Sequence, residues 1–192
     1  MTAGTVALLV IVVLGAGFLF VYNRLVKLRN RAQAAWHDID VYLRRRHALI
    51  PNLVETVKAY AEHERGLFEA VAQARSTAVA TEQTGSADEV AVTEAQLDQA
   101  VQRLVAVAEA YPDLKADARF RDLQHELAAT ENKIAFSRQL YNDTVEAYQR
   151  TTQQFPWLLV AGPFGFEPPA FFAARDEERQ APRMGEPPGD AR

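Results

Sequence analysis

An unbroken apolar run, residues 5–22 (TVALLVIVVLGAGFLFVY), carries no charge and is followed at once by Arg24, Lys27, Arg29 and Arg31. As a helix rising about 1.5 Å per residue, the run covers roughly 27 Å, enough to cross a hydrocarbon core with little tilt. Apolar side chains then recur at alternating steps of three and four. Leu25, Leu28, Ala32, Ala35, Ile39 and Tyr42 fall on one helical stripe, and Leu53, Val54, Val57, Tyr60, Ala61, Leu67, Phe68 and Val71 resume it beyond Pro51. No Gly or Pro separates Val21 from Ile50, so the span is expected to continue into the soluble part as a stiff stalk. Pro51 then either kinks one helix or separates two.

Residues 81–88 (TEQTGSAD) read as a polar loop, in which Ser86 and Glu89 have the spacing of a capping box. The helix that follows carries Leu97, Val101, Leu104, Val105 and Ala108 and is expected to end at Tyr111 and Pro112. Asp113 or Asp117 caps the longest periodic segment, whose apolar face holds Phe120, Leu123, Leu127, Ile134, Tyr141, Val145, Tyr148 and Phe155. The pattern predicts an all-α fold: a single N-terminal transmembrane helix followed by an antiparallel up-and-down helical bundle of three to four long helices. Along the chain this gives a short external N-terminus at 1–4, the transmembrane helix at 5–22, the bundle at 23–155, an aromatic strap rich in Pro and Gly at 156–175, and a tail at 176–192. The tail lacks apolar periodicity and is expected to be disordered. The strap holds Trp157, Phe164, Phe166, Phe171 and Phe172. Lacking helical periodicity and basic residues, it is expected to pack over the bundle rather than lie in the membrane interface.

Charge sets the orientation. The residues before the span carry no basic side chain, whereas four basic and no acidic ones lie between Tyr22 and Asp38, so the basic flank is expected to stay cytoplasmic and the N-terminus outside. A cleaved signal peptide is the alternative, but the run has no basic n-region and a poor small-x-small cleavage site around Gly15. The absence of cysteine excludes a lipid-anchored lipoprotein, a disulfide framework and thiolate metal sites. A net charge of −4 argues against nucleic acid as a partner.

Four constellations carry candidate chemistry. His63-Glu64 suggests a zinc helix, yet the position where H-E-x-x-H needs its second histidine is Leu67, and no metal or other cofactor is expected. Arg44, Arg45 and Arg46 fan over about 200° of a helix, which predicts a solvated face with one arginine lying along the core. Arg24, Lys27, Arg29 and Arg31 are better placed as contacts for lipid headgroups. Finally, the apolar stripe skips between Leu127 and Ile134, turning Thr130 or Glu131 inward; Glu131 and Asn132 are expected to join Asn52, Glu55 and His63 in a buried polar cluster that sets helix register.

The segments YNRLVKLRNRAQAAWHDIDVYLRRRHALIPNLVETVKAYAEHE, LVAVAEAYPDLKADARFRDLQHELAATENKIAFSRQLYND and FPWLLVAGPFGFEPPAFF, in this order between about Tyr22 and Phe172, resemble the LemA family of bacterial membrane proteins. The loop near Gly85 and the tail look peculiar to this chain. The resemblance implies one N-terminal transmembrane helix, a cytoplasmic antiparallel bundle and no established enzymatic activity or catalytic residues. Some relatives are associated with magnetosome membranes or occur alongside membrane proteases. The function expected is therefore that of a non-enzymatic interaction or scaffold module at the inner face of the bacterial inner membrane. It would hold the bilayer through residues 5–22 and meet a protein partner or its own copies. The alternatives are a ligand- or metal-binding bundle and a membrane-shaping protein.

Overall fold

The computed structural model describes residues 3–172, so the expected tail at 176–192 and the last residues of the strap lie outside the described part. It is built of helices α1 (Ala3–Lys58), α2 (Arg65–Thr84), α3 (Ala87–Ala108), α4 (Pro112–Ala116), α5 (Ala118–Thr152) and α6 (Leu158–Ala161), with no strand among the described residues. Four of them are long, as the periodicity predicts.

The apolar run and the first bundle helix are one element. α1 has 56 residues and is therefore about 84 Å long. Its residues 3–20 are exposed; burial begins at Val21 and recurs at Leu25, Leu28, Ala32, Ala35, Ile39 and Leu43, which is the stripe read from the sequence. Pro51 lies inside α1 rather than at its end. Proline has no N–H to offer the carbonyl four residues back, which belongs to His47. That carbonyl instead accepts from Arg75 Nε of α2 at 2.8 Å, so a side chain of the neighbouring helix repairs the gap and the helix runs on. The corner comes later, where Tyr60 N and Ala61 N both donate to Val57 O at 3.0 Å.

Local chemistry explains the remaining boundaries. Ser86 caps α3 through a complete capping box: its Oγ accepts from Glu89 N, and Glu89 Oε2 accepts from Ser86 N at 2.8 Å. Gly85 is required there because a Cβ would come within 2.7 Å of both Thr81 Cγ2 and Thr81 O. Pro112 starts the short α4 instead of merely ending α3, since proline suits the first turn of a helix. Asp117 then caps α5 by accepting from Phe120 N at 3.1 Å, and Tyr60 donates to its other oxygen at 3.1 Å. Tyr60, expected in the apolar stripe, is thus an exposed tie across the top of the bundle. Phe155, expected on the inner face of α5, falls beyond the end of that helix and is exposed.

The contacts Tyr60 with Asp117, Arg46 with Glu131 and Trp36 with Tyr141 run in opposite order along α1 and α5, so the two helices are antiparallel. α2 and α3 form a second hairpin, packed against the part of α1 farther from the apolar run. The far core gathers Leu53, Val57, Val71, Leu97, Leu104 and Phe120; the middle one Ala35, Ile39, Leu43, Val90, Ile134 and Tyr141. The α2–α3 turn at Gly85–Ala87 reaches only as far down as Ala32 and Trp36. Below it, residues 153–172 take over. Val160, Ala161 and Phe166 bury against Val21, Leu25, Leu28 and Tyr148. Higher up, Asn142 grips the Phe172 backbone at 2.9 and 3.0 Å, and Tyr141 Oη donates to Ala170 O at 2.8 Å. The segment thus touches the bundle at both of its ends, with one helical turn, α6, inside it, while Phe155, Leu158, Leu159 and Phe164 stay exposed.

Candidate functional site

Where the two hairpins meet, each of the four long helices contributes charge to one buried cluster. α1 supplies Arg46 and His47, α2 Glu82, α3 Glu94 and α5 Glu131. Arg46 and His47 occupy core positions because they continue the stripe Ile39, Leu43 toward Ile50, and Glu94 sits between Val90 and Leu97 in the stripe of α3. Arg46 pairs with Glu94 and donates through Nη1 to Glu131 at 2.7 Å. His47 Nε2 meets Glu94 Oε1 at 2.8 Å, and its Nδ1 meets Glu82 Oε2 at 3.2 Å. Arg44 reaches Asp40 at 3.0 Å and Glu82 at 2.9 Å from the outside, while Arg75 caps the His47 carbonyl.

Burial, followed by the positive charges of Arg46 and Arg75, pushes the His47 imidazole down to about 4, so it is neutral at physiological pH. A neutral ring has one donor and one acceptor nitrogen, and two ionised carboxylates cannot both be satisfied by it. Glu82 resolves this: burial first and the hydrogen bond with Asp40 second raise its pKa. The raised pKa favours the protonated carboxyl, the form of Glu82 that can donate to Nδ1 while Nε2 donates to Glu94, and Arg44, Arg46 and Arg75 surround these carboxyls. The two nitrogens of His47 point to opposite sides, which does not suit a shared metal ion, and no group of three or more His, Asp or Glu side chains among the described residues is arranged to hold one.

The sequence reading placed Glu131 in a buried polar cluster, and the structure places it at the edge of this one, half-buried. It does not bring the other four to it. Asn52, Glu55 and His63 lie on exposed positions of α1 and the corner after it, and Asn132 is exposed on α5. Thr130 is buried, but its hydroxyl bonds back to Glu126 O at 2.8 Å within α5. Of the three consecutive arginines, Arg44 and Arg45 are exposed and pair with acidic side chains, and Arg46 is the buried one. Arg24, Lys27, Arg29 and Arg31 are all exposed just past the apolar run, with the Arg29 guanidinium 5.3 Å from the centre of the Phe166 ring.

Above the cluster, α3 and α5 part and leave a groove of about 610 Å³. Leu97, Val101, Val105, Leu127 and Ala128 give it apolar walls; Arg46 and Glu131 line it as well, as do the charged Asp98 and Glu109.

The sequence profile of the LemA family matches residues 35–185. The match begins later than the resemblance read from the sequence and extends to residue 185. Magnetosome proteins MamQ 1 and MamQ 2 of Paramagnetospirillum magneticum (strain ATCC 700264 / AMB-1) are each 25% identical to this chain over 190 residues, covering 87% of it and 70% of their own length. Magnetosome protein MamQ of Magnetospirillum gryphiswaldense (strain DSM 6361 / JCM 21280 / NBRC 15271 / MSR-1) is 24% identical over 174 residues, covering 79% of this chain and 64% of its own.

Proposed function

Since the chain belongs to the LemA family and is a membrane-associated helical protein, we propose that it works without catalysis, as a rigid platform held at the inner face of the bacterial inner membrane. The N-terminus then lies outside and the bundle in the cytoplasm, as the exposed basic residues Arg24, Lys27, Arg29 and Arg31 favour. The bundle presents a face of α5 to a protein partner or to a second copy. The observation that carries this reading is on α5 itself: Phe136 and Leu140, one helical turn apart, are exposed while Ile134, Ser137 and Tyr141 beside them are buried. Large apolar side chains grouped on a water-facing helix mark contact surfaces. Their level on the stalk, near Trp36 and Tyr42, is some 20 Å or more beyond the apolar run, so lipid does not cover them.

A photoreactive amino acid at Phe136 in cells tests this. The expected outcome is a discrete crosslinked adduct, whose mass separates self-association from a different partner. A protein that stays solitary in intact membranes under those conditions sinks the reading.

The groove over Arg46 and Glu131 supports a second reading, a bundle that binds a small amphiphile. Purification from the membrane followed by mass spectrometry of what co-elutes, with Val101→Trp to fill the groove, discriminates the two readings.

A further inference from the structure

We propose that the segment after α5 is a second membrane contact, an apolar foot that sits in the lipid interface beside the transmembrane helix, and that the bundle therefore stands on two points. This rests on the reading of the apolar run as a membrane span. Residues 155–166 (FPWLLVAGPFGF) contain no charged side chain. Three residues of the segment, Val160, Ala161 and Phe166, pack inward. Four large apolar ones face out: Phe155 is 77% exposed, Leu159 65%, Leu158 56% and Phe164 52%. In water this is an unusual cost for four side chains within ten residues of chain.

Position says what covers them. Gly165, at φ 66°, reverses the chain after α6 as only glycine does readily. This sends Phe164 toward the apolar run and Phe166 beneath Arg29. The Phe164 ring lies 5.5 Å from that of Phe18 and 5.7 Å from that of Tyr22. Phe18 is one turn, about 6 Å, inside the end of the run. α1 remains apolar and exposed from Val6 as far as Phe20, and the next hydrophilic side chain beyond Tyr22 is Asn23. A bilayer that covers Leu19 and Phe20 thus meets Phe164 at the same depth, and the uncovered Leu158 and Leu159 stand on the adjoining surface. Arg24 and Lys27, exposed just above, match the headgroup level. Tyr22 and Trp157, both half-buried at this junction, are the side chains that favour such a boundary.

The chain has no cysteine, so single cysteines can be introduced into the full-length protein and spin-labelled without removing any. Leu159→Cys and Leu158→Cys report on the foot, Val10→Cys on the span and Val92→Cys, exposed on α3, on water. In vesicles of phosphatidylethanolamine and phosphatidylglycerol, the label at 159 and at 158 is expected to collide with oxygen in preference to a water-soluble nickel chelate, as at 10 and opposite to 92. Nickel accessibility at 158 and 159 equal to that at 92, with 10 still lipid-like, overturns the foot and spares the anchor. A label there that is immobilised and shielded from both reagents means protein covers the patch, and overturns it too. Water-like behaviour at residue 10 sinks the anchor and the foot together.

Discussion

Arg46 and Glu94 are both almost fully buried, and the cost of burying each charge is offset chiefly by the other, with Glu131 also on Arg46 and His47 also on Glu94. Glu94→Ala leaves Arg46 uncompensated on that side and is expected to cost about 3–5 kcal/mol in chemical denaturation of the detergent-solubilised protein. The double change Arg46→Met with Glu94→Leu should recover most of that loss, because an apolar pair of similar volume incurs no desolvation. His47 adds a pH signature. Its folded pKa, about 4, lies below the ordinary value of 6.5, so the unfolded chain binds the extra proton between those values. Its contribution is fully present above about pH 6.5 and is lost as pH falls toward 4, on the order of 3 kcal/mol. The raised pKa of Glu82 works in the opposite sense, adding stability at low pH that fades as pH rises through its folded pKa. His47→Gln should therefore flatten, or reverse, the fall in denaturation midpoint between pH 6.5 and 4; an unchanged slope refutes the neutral imidazole. The cluster was partly legible. Polar residues sitting at stripe positions, Arg46 and His47 between Leu43 and Ile50 and Glu94 between Val90 and Leu97, were the signal. Attention to the gap around Glu131 alone could not supply its partners, because which helix faces α5 at that height depends on where the chain turns.

Those turns are a matter of whole elements. The continuous stretch from Val21 to Ile50, the capping box at Ser86 and a cap at Asp113 or Asp117 could be read from residue order, since each depends on neighbours within one turn of helix; that Asp117 is the cap of α5 came from the structure. The fate of Pro51 could not, because it is decided by Arg75, 24 positions along the chain. A double-mutant cycle exposes that rescue. Arg75→Ala is expected to cost about 1–2 kcal/mol in the native background, where it orphans the His47 carbonyl, and markedly less beside Pro51→Ala, which restores the helical donor. Equal costs in both backgrounds would show that Arg75 does something else. The corner after Lys58 was equally silent in the sequence: residues 59–64 (AYAEHE) contain neither Gly nor Pro, and the chain turns there because Leu67, Phe68 and Val71 must fold back onto Leu53 and Val57 to leave water.

At the scale of the molecule, the hairpin of α2 and α3 covers only the part of the stalk remote from the apolar run, and residues 153–172 dress the rest. The apolar run and the longest bundle helix share one backbone with no joint between them. From Tyr22 to Lys58 that backbone projects about 54 Å, so a tilt of ~10° in the bilayer, of the size that a mismatch in hydrocarbon thickness evokes, sweeps its tip sideways by roughly 9 Å. α1 is in this sense a lever arm, with lipid gripping the short end and α5 and the α2–α3 hairpin riding on the long one.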